Sequence, residues 1–184
     1  SGDDSILGGE GDDSILGDSG DDYIVGGIGS DAIDGGSGID EIDYSTDAAA
    51  GGDSGVTVDL SSGTATDGFG DSDTLSNIEN IKGTDEADQL TGSAADNIIL
   101  GEAGDDVIAG LDGADTIDGG LGADQIDGGA GADQIVGGSG DDSILGGEGD
   151  DSILGDSGDD YIVGGIGSDA IDGGSGIDEI DYST

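Results

Sequence analysis

The chain has 184 residues, of which 46 are Asp or Glu, and Lys82 is its single cation, giving a formal charge of −45. It holds 44 Gly and no Pro, Cys, His, Met or Trp. These numbers exclude binding to nucleic acid or to an anionic membrane surface, which needs clustered Lys and Arg. They also exclude a disulfide framework and any triad or zinc site that uses His or Cys. No apolar run reaches transmembrane length, so membrane insertion is not expected. Leu, Ile, Val and Phe number only 39, and with this charge that fraction borders on intrinsic disorder. Such a chain either stays unfolded or is folded by counter-ions.

In chain order, residues 1–43 form a first block, with a partial repeat followed by four nonapeptides over 8–43. Residues 44–82 break the pattern. Val56-Thr57-Val58-Asp59-Leu60 alternates apolar and polar as a strand does, and Gly51, Gly52, Gly68 and Gly70 mark turns. Since Pro is absent and apolar spacing persists, this insert is expected to continue a β-solenoid in wider coils. Lys82 at its end is expected to be solvated. Residues 83–181 then divide into eleven nonapeptides without an insertion, for example Gly-Gly-Ser-Gly-Asp-Asp-Ser-Ile-Leu at 137–145. Residues 182–184 would begin the next insert. Residues 139–184 are identical to 1–46, a period of 138 that points to a tandem array of near-identical units. With Ser1 first and no signal peptide, the sequence reads as part of a longer chain.

The nonapeptides, G-G-x-G-x-D-x-U-x with U aliphatic, resemble the RTX (repeats-in-toxin) calcium-binding family over about three quarters of the chain. The resemblance implies an all-β fold, a parallel β-roll or β-solenoid with two nonapeptides per coil. It also implies type I secretion. The residues supply the physical logic. Glycines at positions 1, 2 and 4 permit a tight turn whose carbonyls need partners. Asp at position 6 adds a carboxylate, and Ca²⁺ takes roughly 6–8 such oxygens in irregular geometry. Positions 7–9 form a short strand with position 8 inward. Position 8 is aliphatic in every unit: Ile6, Ile15, Ile24, Ile33, Ile42, Leu90, Ile99, Ile108, Ile117, Ile126, Ile135, Ile144, Ile153, Ile162, Ile171 and Ile180.

Two units per coil stack position-6 residues 18 apart. One edge carries Asp88, Asp106, Asp124, Asp142, Asp160 and Asp178, and the other carries Asn97, Asp115, Asp133, Asp151 and Asp169. The first block adds Asp4, Asp22 and Asp40 on one edge and Asp13 and Asp31 on the other. Carboxylates stacked about 4.8 Å apart repel, and a dication between them makes folding conditional on calcium. These sixteen residues are the expected metal ligands. Asn97 lacks the charge, and Thr84 and Glu86 replace turn glycines near Asp88, so both of those sites are expected to be weak. Acids at position 5, such as Asp105 and Asp141, should face outward.

No catalytic constellation emerges, and no enzyme is expected: the paired carboxylates are all accounted for by the repeat. The leading expectation is a calcium-binding extracellular structural repeat, a rigid solenoid or filament segment of a giant secreted or surface protein. Its partners would be further copies end to end, with lateral self-association along outward Leu145, Tyr161 and Val163. The other reading is a calcium-triggered folding and secretion module of an exported enzyme, toxin or adhesin.

Overall fold

The computed structural model describes residues 1–182, so the start of a further insert expected at 182–184 lies mostly outside the described residues. Every two nonapeptides close one coil, and each coil contributes one strand to each of two sheets. One sheet runs, in spatial order, through Ser5–Glu10, Tyr23–Ile28, Glu41–Asp43, Asn80–Lys82, Ile98–Leu100, Thr116–Leu121, Gln134–Ser139, Ser152–Ser157 and Ala170–Asp172. The other runs through Ser14–Leu16, Ala32–Asp34, Ser72–Ser76, Thr64–Thr66, Thr57–Asp59, Gln89–Thr91, Val107–Asp112, Gln125–Ala130, Ser143–Glu148, Tyr161–Ile166 and Glu179–Asp181. Among the described residues, nine strands therefore face eleven.

Register follows the 18-residue period. Ile117 pairs with Ile135 and Ile135 with Ile153 on one face, and Ile126 pairs with Ile144 and Ile144 with Ile162 on the other. These side chains fill the space between the sheets. Position-8 residues from Ile15 to Ile162 are at most 5% exposed. Ile6 and Ile171, in the terminal coils, are only partly buried against this core. Many strands are longer than the three residues that alternation implies: Gln134–Ser139 continues through Gly137 and Gly138, because Gly138 pairs with Gly120 and Ser139 with Leu121. The glycine turn is itself stacked as sheet.

Within the insert, expected to run as wider solenoid coils, part of the chain doubles back on itself. Residues Thr57–Asp59, Thr64–Thr66 and Ser72–Ser76 form an antiparallel meander. Its outer members pair in parallel with Gln89–Thr91 on one side and Ala32–Asp34 on the other. Val58, Ala65 and Leu75 continue the buried apolar core, and Ile81 joins Ile42 to Ile99 across the other sheet. The meander gives its sheet two strands beyond the one that a coil needs. A single helical turn, Asp47–Ala50, precedes it.

One feature of the topology is invisible at the level of a single unit. Ser5–Glu10 and Ser143–Glu148 have the same sequence, yet they lie in opposite sheets. The same is true of Glu41–Asp43 and Glu179–Asp181. The insert completes one whole coil, but eleven nonapeptides, an odd number, leave the chain on the other face. The local contacts carry over: Tyr23 Oη donates to Asp43 Oδ2 in one sheet and Tyr161 Oη to Asp181 Oδ2, at 3.4 Å, in the other.

Candidate metal centre: two edges of stacked carboxylates

In a regular unit such as 128–136, Gly129 and Gly131 adopt φ of 102° and 144°, in the half of backbone space that favours glycine. The turn swings Asp133 inward, where it is 1% exposed. Its two oxygens have different surroundings. Oδ1 accepts the backbone N–H of Asp115 at 2.8 Å, while the N–H of Asp133 donates to Asp151 Oδ1 at 2.9 Å. Oδ2 has no hydrogen-bond partner. It lies against the first glycine of its own unit, where a Cβ on Gly128 would stand 2.6 Å from Asp133 Oδ2 and 2.5 Å from the Gly146 carbonyl oxygen of the next coil. The glycine leaves a cradle that gathers a carboxylate oxygen and a carbonyl oxygen.

This pattern repeats along both edges. N–H to Oδ1 bonds of 2.8 to 3.2 Å link Asp88, Asp106, Asp124, Asp142, Asp160 and Asp178 in series. A second series links Asn97, Asp115, Asp133, Asp151 and Asp169. Asp4 to Asp22 to Asp40 and Asp13 to Asp31 are joined in the same way. The 18-residue stacking expected of these residues is thus the arrangement found. Oδ2 is buried and unpartnered in Asp13, Asp22, Asp31, Asp40, Asp106, Asp115, Asp124, Asp133, Asp142, Asp151 and Asp160. Asp169 and Asp178 are partly exposed in the last coils, and Asp4 is exposed beside the N-terminal amine, 3.3 Å away.

Two of the sixteen differ. Thr84 and Ser93 occupy the second turn position without a positive φ, so their N–H groups point inward. Thr84 N–H and Oγ1 donate to Asp88 Oδ2 and Oδ1 at 2.7 and 2.9 Å, and Val56 N–H also donates to Oδ1 at 2.7 Å. Asn97 Oδ1 accepts Ser93 N–H at 2.7 Å, and its Nδ2 donates to the Glu79 carbonyl at 2.6 Å. Protein donors fill the place that an ion needs, and neither residue offers a free oxygen.

The sequence reading missed how the insert joins the edges. Asp31 N–H donates to Asp73 Oδ1 and Asp40 N–H to Glu79 Oε2, both at 2.9 Å. Asp73-Thr74-Leu75 and Glu79-Asn80-Ile81 repeat the acid-x-aliphatic triplet of the nonapeptides without their glycines, and that was the available signal. Position-5 acids face outward as expected, but they also form a ladder of their own: Ala123 N–H donates to Asp105 Oδ1 at 2.9 Å, and Asp159 N–H to Asp141 Oδ1 at 2.8 Å. Lys82 is not merely solvated, since its Nζ lies 3.1 Å from Glu102 Oε1.

A buried anionic oxygen without a donor is costly. Burial, reinforced by stacked like charges, pushes Asp106 up to about 7 and Asp115 and Asp142 up to about 6, despite the backbone N–H each accepts. A hard dication with a flexible oxygen shell fits this donor set. Among the described residues no three carboxylates converge on one point, so backbone carbonyls would have to complete the shell.

Fold and edges together define a parallel β-solenoid whose turns present stacked, unpartnered carboxylates. The family model described as RTX calcium-binding nonapeptide repeat (4 copies) matches residues 7–42, 74–108, 82–117, 109–144 and 145–180. The chain belongs to that family. Its repeats bind calcium, several ions to an array, and the family and fold are typically non-catalytic. No curated protein matches the sequence. Among solved structures, the extracellular lipase LipA from Serratia marcescens is similar, with 22% identity over 84% of this chain and 31% of that one, at a TM-score of 0.35. The chain thus spans less than a third of that protein's length.

Proposed function

We propose that the chain is a calcium-folded, extracellular structural repeat, a stiff solenoid segment of a larger secreted or surface protein. The observation that carries this reading is the run of buried, donor-less Oδ2 atoms at 18-residue intervals on both edges. The proposed ligands are the position-6 carboxylates other than Asp88, together with turn carbonyls. The blocks 1–43 and 83–181 carry the nonapeptide calcium sites, and 44–82 is an insert folded onto them. An exact 46-residue internal repeat supports end-to-end continuation by like units. Leu145 pairs with Val163 beside exposed Tyr161, and this stripe is the proposed lateral contact between solenoids. Bundling that persisted after Leu145→Ser with Tyr161→Ser would remove that part.

The main test is circular dichroism during titration with Ca²⁺ and then with chelator. Strand signal should rise with calcium and collapse in excess EDTA. Ordered strands that survive EDTA at pH 8 and low salt would overturn the proposal. The second reading, a folding and secretion module attached to an exported enzyme or toxin, is favoured by the family, whose repeats occur in secreted proteins. Catalytic segments encoded upstream in the parent gene would decide for it.

A further inference from the structure

The insert contains a second acidic pocket that the nonapeptide pattern does not describe. Residues 67–71 close a turn in which Asp67 N–H donates to the Asp71 carbonyl and Gly70 N–H to the Asp67 carbonyl, both at 3.0 Å. Asp67 Oδ1 faces that turn and accepts the N–H groups of Asp71 and Phe69 at 2.7 and 3.0 Å. Asp67 Oδ2 has no hydrogen-bond partner, although the residue is 1% exposed. The helical turn Asp47–Ala50 packs against it. Asp47 is also buried and is tied to the same turn by Gly68 N–H, which donates to Asp47 Oδ2 at 3.0 Å. Backbone oxygens lie close beside Asp47 and Gly68. A Cβ on Gly68 would meet the Ser54 carbonyl oxygen at 3.1 Å, and one on Gly52 would meet the Gly68 carbonyl oxygen at 2.9 Å.

Asp73 is buried nearby, but its oxygens are committed to Asp31 N–H and to Tyr44 Oη, which donates at 2.9 Å. The one lysine is paired elsewhere, with Glu102. Two buried carboxylates are therefore tied to one turn, among the described residues no side-chain cation pairs with either, and one oxygen lacks any donor. A proton held between the two acids would also relieve the charge, and the ion count below separates that state from a bound cation.

We propose that Asp67 and Asp47 hold a calcium ion of their own, outside the nonapeptide ladders. The ion clamps the 67–71 turn to the Asp47–Ala50 turn and so fastens the meander to the solenoid. Carbonyl oxygens and water complete the shell, as Ca²⁺ allows.

The test counts ions bound to the full chain by equilibrium dialysis with Ca²⁺, and follows tyrosine-sensitised luminescence with Tb³⁺ as the stand-in. Asp67→Asn should bind one ion fewer than the parent while keeping its strand signal in calcium. Tyr44→Phe should keep the calcium count but lose the part of the Tb³⁺ emission that buried Tyr44 feeds. An unchanged count in Asp67→Asn overturns the site. If that variant fails to fold in calcium, unchanged emission in Tyr44→Phe overturns it instead. Asp133→Asn, measured alongside, tests the nonapeptide ladder separately: a full count there defeats the ladder reading and leaves the insert site to its own two variants.

Discussion

Asp133 divides its labour between two oxygens, one closing the coil-to-coil hydrogen bond and one buried without a donor, the proposed ion ligand. That division makes the effect of pH depend on calcium. Without the ion, burial holds Asp106, Asp115 and Asp142 above the usual carboxylate range, at about 7, 6 and 6. A raised folded-state pKa on an acid favours the protonated form, so this contribution is full below about pH 4 and is lost as pH rises through 6–7. Calcium-free chain should accordingly show more strand signal at pH 5 than at pH 8 by circular dichroism. Calcium has the opposite sense, since it needs the carboxylate, and its apparent affinity should fall as pH drops below about 6. The turn is equally strict about shape. A Cβ on Gly131 would sit 1.5 Å from the Gly113 carbonyl oxygen, at a φ of 144°. Gly131→Ala should cost about 4 kcal/mol or more, against about 3 kcal/mol for Ile126→Ala in the core, both read from melting in saturating calcium.

At the scale of the coil, residues 83–100 behave unlike their neighbours. From spacing alone, Asn97→Asp looks like the repair of a defective ligand. The structure predicts the reverse, because the Asn97 amide donates to the Glu79 carbonyl and a carboxylate there would place two acceptors 2.6 Å apart. The variant should lose about 2 kcal/mol and gain no ion, as measured by melting and by equilibrium dialysis. Much of the regular architecture was legible in the sequence, because a nine-residue period ties each Ile and each Asp to one place in a coil. Asp31 and Asp133 can be placed by counting. Asp73 and Glu79 cannot: they receive N–H groups from Asp31 and Asp40 across 42 and 39 residues, a distance set by the meander's loops. Nor does spacing distinguish an ion from a hydroxyl. Thr84 closes its site because its backbone takes the ordinary half of φ space, whereas Glu102, Leu111 and Asp156 at the same turn position accept positive φ.

Over the whole molecule, the surplus acidity is managed by geometry as well as by ions, with inner carboxylates and outer ones forming ladders of opposite sense. The unequal strand numbers of the two sheets have a mechanical outcome. At about 4.8 Å per strand, two surplus strands would lengthen one side by about 10 Å and so bend the axis at an insert. Because the chain re-enters its sequence on the opposite side after eleven nonapeptides, the next insert would deflect the axis the other way. In the proposed array of like units successive bends would cancel, and the array would weave about a straight line instead of curling into a ring. Excising one nonapeptide, residues 128–136, from every unit of a tandem array would put all the kinks on one side. Electron micrographs in calcium should then show arcs where the parent array gives straight rods.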